Sequence, residues 1–241
     1  MFERQKERLL DNLERADVEF RQRRKNDAPG LYFHKEALSA AGEGNFDRFA
    51  EMAYAMLATW GMNRSGGGPS MVDFDCFRVS LSRVRAEADR LHTKTPVEMS
   101  QRDWEGLQVI FEGLQCMKTR PRLVAHSKVM AHWLPKLVPP IDGLYTLTFL
   151  YGKAVVPKPP REWAAFKEML SEFFYPVLQE RRFAEAVPSL MGSAPAYTSE
   201  LKILDNLIMG MGYLGSTNRS LKRERIVKPR WREAVKPRAT R

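Results

Sequence analysis

Apolar residues recur along most of this chain at spacings of three and four, the period of a helix with one buried face. Phe2, Leu9, Leu13, Ala16 and Phe20 share one side of a segment spanning Phe2–Lys25. Phe46, Phe49, Ala53, Met56, Leu57 and Trp60 do the same over Asn45–Trp60, and the pattern stops at Gly61. Phe77, Leu81, Val84, Ala88 and Leu91 predict a helix within Val72–Leu91. Ser100 with Asp103 forms a capping-box-like start before Trp104, Leu107, Phe111 and Leu114. Pro160 suits the first turn of a helix carrying Trp163, Phe166, Leu170, Phe173 and Val177. Leu204, Leu207, Ile208 and Met211 mark a last helix over Ser199–Tyr213. Only Ala154–Val156 reads as a short strand. The expected fold is all-α, with roughly eight to ten helices in one compact domain. That domain should span residues 1–216 and be followed by a basic, flexible tail over 217–241. Asn63–Ser70, with three glycines, reads as an interhelical connection; no Gly-Lys-Ser/Thr follows it, so it is not a Walker A loop.

Charge changes this picture. The 241 residues carry 39 Lys and Arg against 29 Asp and Glu, a net +10, which points to a polyanionic partner. The excess is local. Ten basic and two acidic residues lie between Arg219 and Arg241, a net +8. Gly113–Ile141 adds +5 with no acid, which leaves the remainder at −3. The tail repeats Lys-Pro-Arg at Lys228–Arg230 and Lys236–Arg238, and proline opposes helix. It therefore reads as an extended arm whose Arg219, Lys222, Arg223, Arg225, Lys228 and Arg230 reach phosphates. No apolar run is long enough to cross a bilayer, and Met1–Arg8 lacks the apolar stretch of a secretory signal, so a cytoplasmic protein without membrane contact is expected. Two cysteines, Cys76 and Cys116, exclude a disulfide framework or a four-cysteine metal site, and both fit helical apolar patterns as small core residues. Neither a metal nor a cofactor is called for.

Asp142 is the only carboxylate between Glu112 and Glu162. Pro121 should end one helix, Ser127 should cap a short helix over Lys128–Leu134, and Pro135 should close it. Pro139 and Pro140 force an extended link up to Asp142, which then caps a helix over Gly143–Tyr151. Lys118, Arg120 and Arg122, with the Ser127 hydroxyl, offer contacts to a nucleic-acid backbone. Trp60, His132, Trp133, Tyr145 and Phe149 are candidates for a substrate pocket in which a base could stack. The plainer alternatives are a solvated Lys128, an Asp142 that only caps, aromatics that only pack, and structural roles for His126 and His132, which six-residue spacing sets on different helix faces. His34 and His92 have no acidic or cysteine partner at ligand spacing. Lys202 and Asp205-Asn206 lie on an amphipathic helix without an evident role.

Lys128-Val129-Met130-Ala131 followed by Val138-Pro139-Pro140-Ile141-Asp142 resembles the helix-hairpin-helix DNA glycosylase superfamily, the class of endonuclease III and 8-oxoguanine glycosylase. There a lysine starts the helix after a hairpin, and a proline-bearing link leads to an aspartate. The resemblance spans about thirty residues around this motif, and it implies catalytic roles for Lys128 and Asp142. The hairpin position reads Arg122-Leu123-Val124-Ala125-His126, without the family's glycines. The Ser-Lys…Leu-Pro…Pro-Pro-Ile-Asp…Tyr-Thr string also resembles uncharacterised bacterial proteins. A fixed carboxylate stabilises positive charge on a sugar as an N-glycosidic bond breaks, and a lysine amine can attack the anomeric carbon. The expected function is thus DNA binding with excision of a modified base, with or without lyase activity. The alternative is a non-catalytic module binding nucleic acid or a partner, for example in a defence or toxin–antitoxin system. DNA is the expected partner, with RNA or a protein as alternatives.

Overall fold

A computed structural model describes residues 1–23, 28–63, 70–119, 122–154, 158 and 161–223, with only the backbone path given for 28 and 216–223. Helices make up most of the described residues, and the sole β pairing among them is an isolated bridge between Met71 and Met117. In chain order the helices are α1 (Glu3–Leu10), α2 (Leu13–Arg23), α3 (Ala28–Gly42) and α4 (Phe46–Leu57), the last ending in a π turn, Ala58–Met62. Then come α5 (Phe74–Leu91), a 3₁₀ turn at Pro96–Glu98, α6 (Gln101–Gly113), α7 (Leu123–Trp133) and α8 (Thr146–Tyr151). Next, α9 (Glu162–Met169) runs through a second π turn, Leu170–Phe174, into α10 (Tyr175–Gln179); α11 (Arg181–Leu190) and α12 (Glu200–Arg223) follow.

Short polar residues start several of these helices. The Asn45 side chain accepts from the Arg48 amide and that of Asp73 from the Cys76 amide. Ser100 and Asp103 complete a reciprocal capping box. Asp103 also receives Arg90 and is held well below the usual carboxylate range, first by its hydrogen bonds to Ser100. The expected first helix divides at Asp11-Asn12, where the Asn12 side chain caps the Arg8 carbonyl. Periodicity did not reveal α3, whose inward positions are Gly30, His34, Ala37 and Ala40: a face of small and polar residues carries little hydrophobic contrast. Nor did it reveal α11, which carries Pro188 in its last turn.

Helices pack as neighbours: α3 along α4, α5 along α6, and α12 along α2. The α2–α12 contact is backbone-close, since a Cβ at Gly210 would overlap the Ala16 carbonyl. The central element is α7, whose Ala125–Trp133 are all buried and which touches α3, α4, α6 and α9. A helix buried on every side needs neighbours all round it.

Several expectations change here. The helix predicted over Lys128–Leu134 begins at Leu123, so Lys128 lies inside it and Ser127 is no N-cap. Its N-terminal amides are covered from a distance: Glu162 Oε1, on α9, accepts from Arg122 N at 2.7 Å and Leu123 N at 2.9 Å. The segment that lacks acids in sequence thus receives a buried one in space. Cys116 is buried as expected, but Cys76 is exposed and its thiol is pushed up by Asp73. The α12 backbone stays helical through Arg223, so Arg219, Lys222 and Arg223 begin the tail as helix rather than as an extended arm. Arg225, Lys228 and Arg230, Arg120, the expected strand beyond Ala154, Pro160 and most of the glycine loop lie outside the described residues. No helix among the described residues is long and apolar enough to cross a membrane.

Candidate functional site

Two parts of the chain that read as separate converge on one cavity of about 630 Å³, within the usual range of small-ligand sites. Its walls come from α2 (Phe20, Arg21), α3 (Gly30, Leu31, His34), the π turn after α4 (Thr59, Trp60, Gly61), and α12 (Lys202, Asp205, Asn206, Met209). Lys128 of α7, Pro140 and Asp142 of the link, and Ser193–Ala196 complete it. Gly61 adopts φ 77°, a left-handed conformation that glycine takes without strain. That turn ends α4 and leaves Trp60 at the cavity.

Trp60 holds cations. Lys128 Nζ lies 5.5 Å and Lys202 Nζ 5.3 Å from its ring centroid, within cation–π range. Lys128 is only 5% exposed, so it is not a solvated surface lysine. Lys202 Nζ also donates to Asp205 Oδ2 at 2.6 Å and Asn206 Oδ1 at 2.8 Å. Asn206 spends its amide on the Ala196 carbonyl. Burial pushes the Asp205 carboxyl up, opposed by the charge of Lys202.

Asp142 is fixed at the start of the turn into α8. Its Oδ1 accepts from Leu144 N at 2.8 Å and Tyr145 N at 2.9 Å, and its own amide donates to Thr146 Oγ1. It caps the turn that leads into α8, which begins at Thr146 and not at Gly143 as the sequence predicts, and it also lines the cavity. Lys128 and Asp142 are tied together by their neighbours: the Ser127 hydroxyl accepts from Ile141 N at 3.0 Å and donates to the Val124 carbonyl. Ser127 is fully buried. Its hydroxyl is spent on this tie, so it cannot contact a nucleic-acid backbone.

The other candidates lie elsewhere. Trp133 packs on Phe46 and Phe49 in the core, Phe149 on Phe173, and Tyr145 on Tyr213; none lines the cavity. Lys118 and Arg122 are exposed near the N-terminal end of α7. His132 stands one layer behind the cavity. Its Nδ1 contacts the Lys128 carbonyl at 2.6 Å, its Nε2 meets His34 Nδ1 at 2.7 Å, and His34 Nε2 meets Thr198 Oγ1 at 2.8 Å. A carbonyl only accepts, so Nδ1 of His132 carries the proton. Its Nε2 then accepts from His34, and His34 accepts from the Thr198 hydroxyl. Both rings are neutral in this arrangement, and burial depresses both. His126 donates to the Phe111 carbonyl and is likewise buried.

Burial lowers His126 and His132 from 6.5 to about 4. The unfolded chain thus binds protons as pH falls through 6.5, while the folded chain resists until about 4. Stability should be greatest above pH 6.5 and decline steadily toward pH 4. Thermal unfolding across that range checks this; a clearly shallower decline in His126→Gln/His132→Gln would assign the missing part to these two rings, the remainder falling to the buried His34, and an equal decline would remove them from it.

Lys202, Asp205, Asn206 and His34 are the cavity residues that sequence reading left without a role. A signal existed for the first three: at i, i+3 and i+4 they form a polar stripe within Leu201–Met209, otherwise apolar on every side. Compared with known protein families, curated proteins and solved structures, the chain matches none.

Proposed function

We propose that the protein binds DNA and excises a modified base, taking the extruded nucleoside into the cavity between α3, α7 and α12. The observation that supports this reading is the convergence of Lys128 and Asp142 on one cavity of about 630 Å³, with aromatic and apolar walls beside them. A flipped nucleoside needs such an enclosed site. Asp142, held by two amides, supplies a fixed negative charge beside the sugar as the C–N bond loosens. The Lys128 amine attacks the anomeric carbon; the new C–N bond forms as the glycosidic electron pair leaves on the base, which takes up a proton. Loss of the amine proton and opening of the sugar ring give a Schiff base, the species that borohydride reduces to a stable secondary amine. The α7 N-terminus does not serve phosphate, because Glu162 occupies its amides. Backbone contacts fall instead to the exposed Lys118 and Arg122 and to the basic stretch beyond Gly215.

The test is covalent trapping on a panel of abasic and modified-base duplexes. The wild-type protein with borohydride should give a protein–DNA adduct, and Lys128→Ala should give none. Base release without an adduct would leave a glycosylase that lacks the lysine step. Binding with neither adduct nor release would overturn excision and leave the non-catalytic binding module.

A further inference from the structure

Among the described residues, one buried side-chain polar atom of the cavity lining has no hydrogen-bond partner. Asp205 is 3% exposed and lines the cavity, and its Oδ2 receives Lys202 Nζ. Its Oδ1 is buried with no partner among the described residues. Neighbouring groups are committed elsewhere: Asn206 accepts from Lys202 and donates to Ala196, and the Thr59 hydroxyl donates to the Met56 carbonyl. A buried acceptor without a donor is destabilising, and native proteins seldom keep one without a reason. Asp205 is also the single lining carboxylate whose second oxygen is already fixed by a lysine, so its free oxygen has a defined chemical sense. Lys202 only donates, and in the ion pair that it makes with this carboxylate Oδ1 serves as an acceptor. A turn about the soft Cβ–Cγ torsion, with the flexible Lys202 amine following Oδ2, presents it to the cavity.

We propose that Asp205 is the specificity-determining residue of this cavity: its Oδ1 accepts from an N–H on the edge of the bound base, selecting bases with a ring N–H over those with a bare ring nitrogen there. This rests on the reading that the cavity takes a nucleobase. A site built around a buried polar group rejects a partner that leaves that group unpaired more strongly than it rejects a small change in apolar shape. Two acceptors face to face repel, so a base with a lone pair at that position is disfavoured twice.

Asparagine at this position makes a directional test. In Asp205→Asn the amide oxygen must face Lys202, which has only donors, so the amide NH₂ takes the place of Oδ1. The acceptor becomes a donor, and the selectivity should invert. Calorimetric binding of inosine, which carries N1–H, and of nebularine, whose N1 is a bare acceptor, reads this out on the full chain. Wild-type protein should favour inosine by at least about tenfold, and Asp205→Asn should favour nebularine. A residue with only a structural role would weaken both equally. Equal binding of the two nucleosides by the wild type, retention of its order in the variant, or no binding of either at millimolar concentration would each overturn the assignment. Circular dichroism of the variant verifies that it folds, and the wild-type preference stands as a test without it. Excision from duplexes without nucleoside discrimination would sink only the Asp205 assignment. Discrimination without excision would sink only the catalytic reading.

Discussion

Replacing Asp142 with asparagine should lower base release about 100- to 1,000-fold while leaving DNA affinity within about twofold. The substitution isolates charge from shape. An asparagine oxygen still accepts from the Leu144 and Tyr145 amides, so the turn into α8 keeps its geometry. What is lost is the negative charge at the cavity wall when positive charge develops on the sugar. Single-turnover release from a lesion duplex, beside equilibrium binding to the same duplex, separates the two quantities. Unchanged release would reduce Asp142 to a cap, and a parallel loss of binding would place its charge in recognition rather than in the transition state.

Glu162→Ala should cost about 3 kcal/mol of folding stability, measured by urea unfolding. Glu162 is 1% exposed and provides the acceptor for the first two amides of α7. Alanine leaves the buried Leu123 amide and the half-buried Arg122 amide without this acceptor and removes a carboxylate from the positive end of the helix. Glu162→Gln keeps one oxygen in place and should lose clearly less. Because α7 positions Lys128, Ser127 and His132, the alanine variant should also lose trapping activity at temperatures well below its own unfolding. If both variants unfold like the wild type, α7 does not depend on this distant cap.

The local chemistry of helix ends was legible in the chain, and the long-range chemistry was not. Ser100 and Asp103 announce α6, and Gly61 announces the end of the α4 stretch, because each acts on amides or dihedrals within a few residues. The all-α class followed from the same periodicity. α7 shows the opposite case: its start is fixed by Glu162, about 40 positions away, so no nearby residue marks it and Ser127 looked like the cap. Asp142 stood out because it is a lone carboxylate among cations and Lys128 because of the resemblance, and both line the cavity. Trp133, Tyr145 and Phe149 had the right residue type but the wrong environment, since an aromatic at helical spacing reads alike whether it packs on Phe49 or faces a ligand. The polar stripe of α12 was visible as a pattern, but what faces it depends on the whole packing.

The Ser127–Ile141 hydrogen bond has a consequence for how this arrangement can vary. Ser127 precedes Lys128 and Ile141 precedes Asp142, so one hydroxyl sets the gap between the two side chains at the cavity. The number of residues in the loop between them does not. A change of length at the exposed Lys136 is therefore compatible with an unchanged pair, whereas loss of a single oxygen at position 127 is not. Kinship with this chain would be written in a small hydroxyl residue before the lysine and a free backbone amide before the aspartate, with the count between them left open.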